Sequence, residues 1–166
     1  MAFGDDVLKI AETTRDVAGV VSKISGALTG AKPEDIKKAY VALLDKAEAA
    51  YGQANWPEAI KYGEAAVAVL PSEPYTYAFL SYCSSRSADS IGTPYGEAMM
   101  KMAIEKSNNN VTPLIHDIFA KFPETEAWSR NKVSEMASKA LWVVGAVGVG
   151  GIVSAVLLVK WLKSRR

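Results

Sequence analysis

From Ala140 to Val159 the chain runs for twenty residues without a charge, between Lys139 and Lys160. As a helix that stretch spans about 30 Å, the hydrocarbon thickness of a bilayer. A helix buried in a soluble domain is usually shorter and carries a polar stripe, whereas here Ser154 alone interrupts the apolar surface. The pattern predicts a C-terminal single-pass transmembrane helix over 140–160 and a basic tail over 161–166. Trp142 and Trp161 stand nineteen residues apart, which puts one amphipathic ring near each interface. Lys160, Lys163, Arg165 and Arg166 close the segment as a topology signal or as contacts with anionic lipid head groups.

The span reads as a tail anchor inserted after translation. The N-terminus carries Asp5 and Asp6 where a secretory signal needs positive charge and a mitochondrial presequence needs arginines without acids, so no cleavable address is expected. Inside the span, GAVGVGG lacks the spacing and the Lys-Ser/Thr of a phosphate-binding loop. Ala146, Gly150 and Ser154 are four apart, as are Val147, Gly151 and Ala155. These form two small-residue seams for neighbouring membrane helices, the alternative being glycines that face lipid.

Charge divides at the same boundary. Residues 1–139 are net −3 and the last 27 residues net +4. A weakly acidic head offers no basic face for nucleic acid. Cys83 is the single cysteine and His116 the single histidine, so neither an internal disulfide nor a Cys-pair metal site can form. With no nucleophile motif either, the sequence predicts no catalytic residue, metal or cofactor, and hence no enzyme.

Upstream of the span the periodicity is helical throughout. Phe3, Val7, Ile10, Thr14, Val17, Val21, Ile24 and Leu28 alternate in steps of four and three, one seam of an N-terminal amphipathic helix within 1–31. Such a seam either closes the protein's own core or docks on a partner. Five further helices are expected over 32–122, with Pro33, Pro57 and Pro113 in first turns and Asn55 and Thr112 as caps. Tyr75, Phe79 and Tyr82 share a face of one of them, a second candidate partner surface. Residues 84–94, SSRSADSIGTP, read as the longest loop. From Pro123 a connecting helix (123–139) runs into the span without a break. The fold class expected is all-α, a small helical bundle with a membrane anchor.

Residues 40–71, YVALLDKAEAAYGQANWPEAIKYGEAAVAVLP, resemble a tetratricopeptide (TPR) repeat. Ala47, Trp56, Ala59, Ala66 and Pro71 stand at the spacing of that family, in which small residues let two helices approach and the proline ends the second. Lys46 and Gly63 depart from the pattern, standing where the repeat has an apolar and a large residue. Tyr77, Leu80, Tyr95, Ala98 and Met102 suggest a second, degenerate repeat with about five extra residues around Ser87–Gly92. An anchor with a basic end beneath a small repeat head resembles the mitochondrial fission adaptor family in architecture. That resemblance implies an outer-membrane protein whose head recruits soluble partners through a concave surface. Repeats that clamp chaperone C-termini carry Lys and Asn where this chain has Leu44 and Glu48, so a carboxylate clamp is not expected.

Two functional expectations follow. One is a tail-anchored TPR-like scaffold or adaptor at a mitochondrial membrane. The other is an accessory structural subunit of a mitochondrial inner-membrane complex such as ATP synthase or a respiratory complex. Both imply membrane lipid and other proteins as partners.

Overall fold

Proline and short polar caps punctuate the described residues into eight α-helices. In the computed structural model, which describes residues 3–14 and 16–144, these are α1 (Phe3–Thr13), α2 (Val17–Ala27), α3 (Pro33–Gly52) and α4 (Trp56–Val69), followed by α5 (Pro74–Ser87), α6 (Pro94–Lys106), α7 (Thr112–Lys121) and α8 (Pro123–Val144). No strand occurs among the described residues, so the fold is all-α. Six of the helices, α3 to α8, have proline in the first turn, where its missing N–H leaves no hydrogen bond unmade.

Several boundaries differ from the sequence expectation, each for a local reason. The single N-terminal seam is cut at residues 14–16. Asp16 adopts an extended backbone and its Oδ1 accepts from Gly19 N at 2.6 Å, which starts α2 as a new helix. α5 continues through Ser87, four residues into the expected loop, because Ser85 is buried and Ser84 Oγ meets Thr93 Oγ1 at 2.7 Å across the turn. Thr112 is the first residue of α7 rather than its cap; Val111 takes the cap position without a side-chain hydrogen bond. Asn55 does cap α4, accepting from Glu58 N at 3.5 Å.

The chain divides into two units, residues 1–123 and 124–166. In the first, α3 packs on α4 and α5 on α6, while α1 lies against α3 and α2 against α4. The cut at Asp16 thus converts the expected single helix into a third helical pair stacked beside the α3–α4 pair. α5 also packs on α4 and meets α7. Tyr40 of α3 and Thr76 of α5 bond at 2.8 Å.

Small residues set the packing distance. Ala47 on α3 and Ala59, Ala65 and Ala66 on α4 have no exposed surface. Around them, Tyr51 stacks edge-on to Trp56 at 5.0 Å and lies 5.3 Å from Phe79 and 4.5 Å from Phe122. Such ring pairs contribute about 0.5–1.5 kcal/mol each beyond area burial. Pro71 is exposed in the turn after α4, and its carbonyl accepts from Tyr77 Oη at 3.0 Å.

The second unit holds most of α8, which is continuous from Pro123 to Val144 and carries the Glu126–Arg130 pair at 2.6 Å. Among the described residues no helix is long and apolar enough to cross a membrane. Trp142 falls on the last turn of α8. The other residues expected in the anchor, Gly150, Gly151, Ser154, Lys160, Trp161, Lys163, Arg165 and Arg166, lie outside the described residues.

Candidate functional site

An open groove of about 530 Å³ is lined by Tyr40 and Leu44 of α3, Glu73 and Tyr75 at the start of α5, and Leu114, Asp117, Ala120 and Lys121 of α7. Each helix contributes one stripe, because residues three and four apart share a face. Leu44 and Leu114 are half-buried, and Asp117, Ala120 and Lys121 are exposed at the rim.

The floor is a polar network on an aromatic base. Tyr75 Oη donates to Glu48 Oε1 at 2.7 Å, and Lys121 Nζ donates to the same oxygen at 2.6 Å. That ammonium also lies 5.0 Å from the Tyr75 ring centroid. Burial pushes the Tyr40 phenol up to about 12, with the Glu73 and Glu48 charges adding and the Thr76 bond opposing. Burial likewise raises Tyr75, reinforced by its bond to Glu48 and by the Glu48 and Asp117 charges. Both phenols therefore stay neutral donors at physiological pH.

The expected partner surfaces are only partly on the surface. Val7, Ile24 and Phe79 are fully buried in the protein's own core, which for Val7 and Ile24 is the first of the two alternatives the seam allowed. Phe3, Ile10, Val17, Val21 and Tyr82 keep partial exposure. Tyr75 is 9% exposed and faces the groove, the one member of the expected aromatic face that lines it. Tyr82 packs instead on Phe119 at 5.4 Å. The groove's α7 wall was not anticipated from sequence, since Leu114 and Lys121 gain meaning only once α7 is laid beside α5.

Among the described residues no group of acidic, histidine and cysteine side chains could hold a metal ion. Cys83 is buried, and that burial raises its thiol pKa, so it lacks the thiolate character a nucleophile needs. His116 is exposed on α7. No protein-family model, curated protein or solved structure matches this chain.

Proposed function

We propose that the chain is a non-enzymatic, membrane-anchored helical-repeat adaptor that offers the groove of α3, α5 and α7 to a segment of a partner protein. The observation that carries this reading is the groove itself, an apolar-walled cleft lined by α3, α5 and α7. Stacked helical pairs create extended binding surfaces of this kind without catalytic groups. Support for the anchor comes from the twenty uncharged residues over 140–159. The TPR-like segment over 40–71 and the resemblance to mitochondrial fission adaptors support a mitochondrial membrane as its place.

A second reading, an accessory subunit of an inner-membrane complex, draws on the half-exposed Val17, Val21 and Leu28 of the first helical pair. Carbonate extraction followed by native electrophoresis of mildly solubilised membranes separates the two. An adaptor gives small, substoichiometric assemblies that Leu114→Asp abolishes. A single large complex unaffected by Leu114→Asp favours the subunit reading, and release of the protein by carbonate contradicts both.

A further inference from the structure

On the reading that the groove binds a partner segment, its lining specifies the chemistry of that segment. Glu48 lies behind the lining residues Tyr75 and Lys121 with its side chain 15% exposed, and one of its oxygens accepts from both Tyr75 Oη and Lys121 Nζ. A carboxylate beside an aromatic face is a receptor for a basic side chain, combining a charge-assisted hydrogen bond with a cation–π contact. Lys121 meets both conditions at once, lying 2.6 Å from the carboxylate and 5.0 Å from the ring centroid. It reaches them from the last turn of α7, 73 residues away in sequence, with its own side chain 48% exposed. The receptor is thus filled from the rim and not from the core.

The surrounding charge favours a second cation. Glu73 and Asp117 line the same groove, and among the described residues neither has a salt-bridge partner. Two carboxylates and one ammonium therefore line the groove, and that ammonium is already bonded to Glu48. Leu44, Leu114 and Ala120 supply apolar wall on either side. We infer that Glu48 and Tyr75 form a receptor for a lysine or arginine in an otherwise apolar segment of a partner protein, and that Lys121 is an internal stand-in which the partner's cation displaces. Displacement exchanges one ammonium for another at Glu48, so Lys121 lowers the affinity of the free groove for its partner. A segment with an acidic end meets the opposite field and is rejected.

The test uses the full chain in detergent micelles and fluorescence anisotropy with three labelled dodecapeptides of one leucine–alanine frame, carrying lysine, norleucine or glutamate at the same two positions. The lysine peptide binds the wild type. Lys121→Met tightens it about tenfold and Glu48→Gln weakens it about tenfold, the scale of one charge-assisted hydrogen bond. The norleucine peptide binds more weakly and responds to neither substitution, and the glutamate peptide does not bind. Equal binding of lysine and norleucine peptides, abolished by Leu114→Asp, overturns the cation receptor and leaves the groove reading standing. Lysine-peptide binding that ignores Glu48→Gln also overturns the receptor. Failure of every peptide to bind both wild type and Lys121→Met overturns receptor and groove together. Should Glu48→Gln fail to fold, Lys121→Met and the lysine–norleucine contrast decide the matter.

Discussion

The Cβ that Gly63 lacks would stand 2.7 Å from Leu80 Cδ2 and 3.2 Å from Leu80 Cγ, so α4 and α5 meet at a glycine filled by a leucine. The volume that a large side chain at Gly63 would take is supplied from the neighbouring helix. Gly63→Leu should overpack the crossing and cost about 1–3 kcal/mol, lowering Tm by roughly 2–4 °C per kcal/mol. In a Leu80→Ala background the same change should cost less, a coupling that thermal melts of the four variants can measure. Additive costs would mean that the two residues do not share that space.

Ala59 and Ala66 have no exposed surface on α4. Ala59→Leu should also cost about 1–3 kcal/mol by overpacking. Ala59→Ser should cost less, since volume and not polarity is the main obstacle. An unchanged Tm for Ala59→Leu would contradict the close approach of α4 to its neighbours.

Asp16 separates α1 from α2 by capping the second helix through Gly19 N. Asp16→Ala should lower stability by about 0.5–2 kcal/mol. The loss should be local, seen as faster amide exchange at Val20 and Ile24 with little change in α5. Uniform acceleration across the first unit would show that the first pair unfolds together with the rest.

Burial raises Tyr40 from 10.0 to about 12, and it raises Tyr75, Tyr82 and Tyr95 in the same direction. A raised phenol pKa means that the fold binds its proton more tightly than the unfolded chain does. That stabilisation is complete below pH 10 and is lost as pH rises through about 12. Denaturant midpoints should therefore fall steeply across this window, with tyrosinate absorbance appearing together with unfolding. Ionisation of all seven tyrosines near pH 10 in the folded protein would contradict the buried network.

Much of the fold was legible in the sequence because local signals agree with tertiary packing. The Pro33, Pro57 and Asn55 signals and the four-three spacing of apolar residues are set within one or two turns, and the helices follow them. Small residues at 47, 59 and 66 announced a close crossing for the same reason. The break at Asp16 was hidden because its apolar period continues unchanged on both sides, so hydrophobic spacing alone cannot register a cap. The groove was less legible still. Leu44 and Glu48 were read only against a carboxylate clamp, and Lys121 carries no local signal of its partnership with a residue 73 positions away. Long-range ion pairs are a product of topology and have no periodicity.

The account rests on the groove of α3, α5 and α7 being the face that meets a partner at a membrane. Site-specific photo-crosslinking of the full chain in its native membranes tests this most directly, with benzoylphenylalanine at Leu44 or Leu114 in the groove and at Lys101 on α6 as the exposed control. The account predicts one discrete adduct from both groove positions, reduced by Glu48→Gln, and none from position 101. Adducts of equal yield from all three positions, or from position 101 alone, would contradict it.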